Sequence, residues 1–280
     1  HDGERTTPIE GQGDIDFAPV EGGYVIAVDR PADEEKWRTE YLVIGEDGTK
    51  RSTLDATSFP IVSRDGKSIA WVRSGKAGSD TTEFVLADAT GKARETVGVD
   101  HPEARLAGFV GPDIAFARGS EVDGVLGLWK TDTGDVTYVE KAGTPVNTDG
   151  QSLVAVETRT VRSEDDMEQT CTGVYDVAAG RLVHEEACTG YQPQRMLGDR
   201  YVLASSYETG TPAILDARTG QVLLELGETS LVSEMGTEPN GDLLLLAGKA
   251  RDHDGGTSTM AIVRCTIGGE CELATEKVEV

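Results

Sequence analysis

EFVLADATG, residues 83–91, is an apolar run closed by a tight Gly turn, and the chain repeats it five more times: TEYLVIGEDG (39–48), LGLWKTDTG (126–134), GVYDVAAG (173–180), AILDARTG (213–220) and AIVRCTIGG (261–269). The turn glycines Gly48, Gly91, Gly134, Gly180, Gly220 and Gly268 follow one another at steps of 43, 43, 46, 40 and 48 residues. Ahead of each run lies another apolar stretch: YVIAVDR (24–30), SIAWVRS (68–74), DIAFARG (113–119), SLVAVETR (152–159), YVLASSY (201–207) and DLLLLAGK (242–249). These are too short for ordinary helices and lack clean alternation, the pattern of strands buried on both faces. Each follows a Gly turn, such as RDGK (64–67), TDGQ (148–151) or PNGD (239–242), and Asp-Gly and Asn-Gly supply the positive φ of a two-residue hairpin. A period of about 40 to 45 residues with four short strands per unit is that of a β-propeller blade.

The expected fold is therefore all-β, a six-bladed β-propeller of four-stranded antiparallel blades over roughly 14–57, 58–103, 104–142, 143–189, 190–228 and 229–280. Residues 14–280 form one domain in this reading, and residues 1–13 are a flexible lead or a strand that closes the last blade. Seven blades, the alternative, would need the lead to join residues beyond this sequence. The connections from second to third strand are long and uneven (PADEEKWRT, GKAGSDTT, SEVDG, TVRSEDDMEQ, ETG, ARDHDGGTS), whereas the turns at the opposite end are short and regular. Function in repeat scaffolds collects on the variable side.

The chain of 280 residues has 50 acidic and 26 basic side chains, a formal net charge of −24. Nucleic acids and anionic membrane surfaces are repelled by a field of that sign. The acid serves solubility, or part of it gathers cations or a basic partner. No window is long and apolar enough for a membrane helix, and His1 opens the chain without a signal-peptide core; a trimmed mature segment, with room for a signal peptide or membrane anchor before it in the full gene, is the expectation.

Four cysteines permit three pairings. Cys171 and Cys188 flank the turn at Gly180, and Cys265 and Cys271 flank the turn at Gly268, so the hairpin register favours 171 with 188 and 265 with 271. Such cystines place the chain in an oxidising compartment, secreted or in the cell envelope; four reduced thiols are the other reading.

SRDGKSIAWV (63–72) resembles the SPDGKxIAF signature of TolB-type and WD40-like propeller repeats, with Arg64 in place of the usual proline. ILDARTGQVLLEL (214–226) and LADATGKARETV (86–97) resemble the matching third-to-fourth hairpins, and IVRCTIGGECELAT (262–275) is similar to the cystine-bearing last blade of secreted propellers from high-GC Gram-positive bacteria. The resemblance implies a non-enzymatic interaction platform without a cofactor, and it supplies no catalytic residues.

Catalytic constellations are sparse. Propeller glycosidases place carboxylates on innermost strands, where only Asp14, Asp16 and Glu234 qualify, and a lyase would want a histidine at the channel mouth, for which His253 is the candidate. No Gly-x-Ser-x-Gly elbow is present, and Ser205 and Ser206 fall inside a strand run. Asp252 and Asp254 resemble the start of a calcium loop but lack its completing acid. The stronger expectation is recognition: Arg30, Trp37, Arg38, Tyr41, Arg73, Arg159, Arg162 and Tyr207 lie in or beside the long connections, and Trp, Tyr and Arg are the commonest interface anchors. The expected protein is a monomer that presents this face to a protein or glycan, with no nucleic-acid partner and no cofactor.

Overall fold

The computed structural model describes residues 16–33, 36–73, 80–119, 124–162, 168–183, 190–206, 208–225, 231–238, 240–249, 259–266, 270–274 and 278–279. Six antiparallel sheets follow in chain order. The first holds β1 (Phe17–Val20), β2 (Gly23–Asp33), β3 (Lys36–Gly45) and β4 (Lys50–Leu54). The second holds β5 (Ile61–Val62), β6 (Ser68–Arg73), β7 (Thr82–Asp88) and β8 (Ala93–Val99); the third holds β9 (Arg105–Val110), β10 (Asp113–Arg118), β11 (Val125–Trp129) and β12 (Val136–Val139). The fourth is β13 (Thr144–Thr148), β14 (Leu153–Arg162), β15 (Glu168–Asp176) and β16 (Arg181–Leu182); the fifth is β17 (Tyr191–Leu197), β18 (Tyr201–Ser206), β19 (Pro212–Asp216) and β20 (Val222–Glu225). The sixth contains β21 (Leu231–Thr237), β22 (Leu243–Lys249), β23 (Thr259–Cys265) and β24 (Cys271–Leu273), and β25 (Val278–Glu279) continues its outer edge by pairing with Thr259 and Met260 of β23. This is a six-bladed β-propeller. Among the described residues every blade is built from one continuous stretch of chain, and the lead lies outside them.

By contact the chain forms two compact units, His1–Ser120 with Gly127–Thr137, and Glu121–Leu126 with Tyr138–Val280. In the first unit β1 approaches β5 and β5 approaches β9; in the second β13 approaches β17 and β17 approaches β21. The first strand of each blade is therefore the inner one.

The apolar runs explain the stacking. In β6, Ile69 and Trp71 pack with Val25 and Val43 of the first sheet, while Ala70, between them in sequence, packs on the other side with Phe109, Ile114 and Phe116 of the third. In β18, Val202 and Ala204 join Ala155 and Val174 of the fourth sheet, and Leu203 joins Leu243 and Leu245 of the sixth. A strand buried on both faces has no polar position to alternate with, which accounts for the unbroken hydrophobic stretches. Fully burying each large apolar side chain is worth roughly 1.5–3 kcal/mol.

Two glycines are dictated by packing. Gly91 turns at φ 81°, and a Cβ there would lie 2.1 Å from Ser52 Oγ, which donates to Thr90 O and ties the first sheet to the hairpin of the second. Gly127 sits in β11 under the ring of Phe116, whose Cζ would be 2.2 Å from an added Cβ; that ring meets Phe84 edge to face at 5.1 Å.

Candidate functional site

The two ends of the blades differ in what their polar groups do. At the short-turn end several carboxylates are engaged with the backbone. Asp88 Oδ1 accepts from the backbone N–H of Thr90 and Lys92 and from the Thr90 hydroxyl. Asp216 accepts from Arg218, Thr219 and the Thr219 hydroxyl, and Asp149 from the N–H groups of Gln151, Ser152 and Leu153. Hydrogen bonds from the Thr90 hydroxyl and nearby backbone hold the Asp88 carboxyl below the usual carboxylate range, and hydrogen bonds from Thr49 do the same for Asp47. Cations lock the inner turn to the outer hairpin of the same blade: Arg51 donates to Gly22 O at 2.7 Å, Lys130 binds Asp113, and Arg264 bridges Glu238 (2.7 Å) and Glu272 (3.0 Å). The turn aspartates Asp88, Asp149 and Asp216 are acid committed to local backbone chemistry.

At the opposite end two expected loops are strands. PADEEKWRT and TVRSEDDMEQ read as irregular because charged residues crowd them, yet β2 and β3 pair down to Asp33 opposite Lys36, and β14 and β15 down to Arg162 opposite Glu168. β1 pairs with β2 only over Gly23–Ile26, with one further bond from Ala27 N–H to Asp16 O, and β4 pairs with β3 only over Tyr41–Ile44. Beyond these, five register pairs run on as a ribbon without a described flanking strand, a length of roughly 20 Å at ~3.3 Å per residue. The ribbon of the fourth blade likewise continues past Glu157 for four pairs. The missed signal is the cross-strand complementarity of a hairpin: Arg30 binds Glu40 at 2.9 Å, and the Thr39 hydroxyl donates to Asp29 at 2.6 Å.

The eight expected binding residues divide accordingly. Arg30 and Arg38 face each other in the register of the first ribbon, with Arg38 exposed and Arg30 neutralised by Glu40; the Trp37 backbone is opposite Pro31. Arg159 and Arg162 lie in β14, opposite Cys171 and Glu168. Tyr41 is half-buried and meets Phe59 edge to face at 6.3 Å. Arg73 is held by two carboxylates, Asp55 at 2.6 Å and Glu83 at 2.9 Å, while Asp55 also accepts from Trp71 Nε1 at 2.8 Å. Arg73 therefore fastens the connection at 55–60 onto the second blade, and Tyr41 fastens it onto the first. Tyr207 lies outside the described residues.

Of the alternative catalytic and metal candidates, Asp14, His253, Asp252 and Asp254 also lie outside them. Asp16 is exposed just before β1, and Glu234 occupies a bulge of β21, where two residues are skipped between the Val232–Ala247 and Met235–Leu245 pairs. No group of three His, Cys, Asp or Glu side chains able to hold a metal gathers among the described residues. Cys265 and Cys271 face each other directly across β23 and β24; Cys171 is buried in β15, and Cys188 is outside the described residues.

Sequence reading passed over a second polar group in the second unit, on the inner strand β17. Gln192 Nε2 donates to Glu157 Oε1 at 2.8 Å, and Gln194 Nε2 donates to Ser205 Oγ at 2.8 Å. The Tyr191 hydroxyl donates to Glu225, which, with burial, pushes the phenol up to about 12. The available signal was QPQR at 192–195, two amides and a guanidinium between Tyr191 and the apolar Met196 and Leu197.

Comparison with known proteins places the fold. No family model matches the chain, and no curated protein matches it. Among solved structures it is similar to the β-propeller domain of the Trilobed protease from Pyrococcus furiosus, described as having an open velcro topology (13% identity over 94% of this chain and 93% of that one, TM-score 0.59). It is also similar to TolB from Acinetobacter baumannii (17% identity, 92% of this chain and 64% of that one, TM-score 0.56). A third neighbour is the acylaminoacyl peptidase of Pyrococcus horikoshii (13% identity, 93% of this chain, TM-score 0.52), about half of which the chain spans, at 52%. Identities this low carry the propeller fold and nothing finer.

Proposed function

We propose that the chain is a non-enzymatic binding protein of the cell exterior or envelope, which presents the long-connection ends of its blades to a partner. The observation that carries this reading is the pair of β-ribbons in the first and fourth blades. A two-stranded ribbon with no flanking strand among the described residues leaves backbone donors and acceptors along its edges, the feature by which strands recruit one another. Arg38 is exposed on the first ribbon, and Trp37 beside it is the residue type most frequent among interface anchors. At the short-turn end, in contrast, Asp88, Asp149, Asp216, Arg51 and Arg264 are engaged with the protein's own backbone or with each other. The exterior location is supported by the register of Cys265 with Cys271, which suits a cystine.

The test is capture from a native envelope extract with wild-type protein and with a variant in which residues 30–38 are replaced by an Asn-Gly turn. The turn suits a two-residue hairpin and leaves Asp29 and Thr39 to close the shortened ribbon. Loss of specific partners with the melting temperature retained supports the reading. Equal recovery of the same partners by both proteins removes the first ribbon from it.

A further inference from the structure

We infer that the inner strand β17 of the fifth blade carries a binding subsite for a hydroxyl-rich ligand, an oligosaccharide. The inference rests on the binding-protein reading but uses the inner strand β17 of the second unit, a surface distinct from the first ribbon and joined to the base of the fourth-blade ribbon at Glu157.

It starts from a break in strand geometry. Pro193 pairs with Ala204 and Arg195 with Leu203, so Gln194 is the extra residue of a β-bulge. In a regular strand, successive side chains point to opposite faces and one of two neighbours is buried; a bulge re-aims one of them. Here Gln194 and Arg195, adjacent in sequence, are both exposed, flanked by the buried Pro193 and Met196. The bulge thus presents an amide and a guanidinium side by side on an inner strand.

The hydrogen-bonding inventory points to the ligand. Gln192 and Gln194 each spend one N–H, on Glu157 and Ser205 respectively, and these bonds fix the orientation of each amide. Each amide has a second N–H and a carbonyl oxygen beyond the bond it makes, and the Ser205 hydroxyl, having accepted from Gln194, keeps its own proton to donate. Arg195 is exposed and has no ion-pair partner among the described residues. Pre-oriented groups that both donate and accept match a ligand whose hydroxyls do the same. An apolar peptide side chain would leave these groups unpaired, at a cost for each one desolvated. The guanidinium adds a preference for sugars that bear a carboxylate.

The experiment is calorimetric titration and saturation-transfer NMR with cellotetraose, chitotetraose and trigalacturonate, on wild type and on Gln194→Ala, Gln192→Ala, Arg195→Ala and Arg38→Ala. At least one probe is expected to bind, with Gln194→Ala and Gln192→Ala weakening it roughly fivefold to tenfold each, the loss of one hydrogen bond apiece. Arg195→Ala weakens trigalacturonate and leaves the neutral probes unchanged, and Arg38→Ala changes none. Gln194 is exposed, so its variant keeps the test valid if Gln192→Ala fails to fold. Absence of binding by all three probes overturns the inference, as does binding that Gln194→Ala and Gln192→Ala leave intact. Binding of extended peptides at this strand in place of sugars overturns it equally. Envelope partners lost on ribbon truncation but kept by Gln194→Ala, with no sugar bound, would sink this subsite alone and leave the proposed function standing.

Discussion

Gly127 and Asp88 show how much depends on single atoms in a stacked sheet. A methyl group at Gly127 has no free volume, because the Phe116 ring that would have to move is itself packed on Phe84. Gly127→Ala is therefore expected to destabilise the protein by about 1–3 kcal/mol, the cost of overpacking. Chemical denaturation would show this as a lower midpoint at unchanged slope, and an unchanged midpoint would mean that the ring yields freely. Asp88 acts through charge. Its carboxyl is held below the usual range by the Thr90 hydroxyl and the neighbouring N–H groups. A folded value below the unfolded value of about 3.9 gives stability that is fully present above pH ~4 and is lost as the pH falls through the folded value. Asp88→Asn should thus cost about 1 kcal/mol at neutral pH, and the gap between mutant and wild type should close as both are titrated toward pH ~2. A gap independent of pH would assign the effect to shape and not to charge.

Among the elements, the ribbons and the outer strand of the sixth blade carry the lessons. Middle strands such as β6 and β18 were legible in the sequence because burial on both faces leaves an apolar run bounded by Gly turns. The ribbons were not, since past the described flanking strands the apolar run gives way to charged residues, and the cross-strand pairs found there, such as Arg30 with Glu40, are disclosed only by the register. The same applies to the candidate sites. Arg73 reads as a free anchor until the hairpin register sets Glu83 opposite it and the connection before β5 brings Asp55 to it. The bulge that exposes Gln194 beside Arg195 has no marker in composition. β24 has only three residues, and its place beside β23 is secured by the Arg264–Glu272 ion pair and the Cys265–Cys271 register. Intact mass of oxidised material under denaturing conditions should show all four cysteines unreactive to alkylation, and peptide mapping should link 265 to 271; alkylation at four sites would remove the exterior assignment.

For the whole molecule, a net charge of −24 sets the background against which each local bond acts. Self-repulsion at this charge opposes compaction and is screened over about 10 Å at 0.1 M salt. The melting temperature should accordingly rise by a few degrees between low ionic strength and ~0.2 M sodium chloride, about 1 kcal/mol for a chain of this size. A fall would show that the ion pairs of Arg30, Arg73 and Arg264, which salt weakens, outweigh the repulsion. By itself the sequence determined the number of blades, their strand order and the sidedness of their connections, because turn chemistry and burial are local and recur with each repeat. The tertiary structure decided which charges are engaged and which exposed, where the strands run on as ribbons, and where an inner strand bulges. Those features depend on strand register and on which side chains meet across it, as Arg30 meets Glu40 and Arg73 meets Glu83 within their own blades, and neither composition nor turn chemistry displays that register.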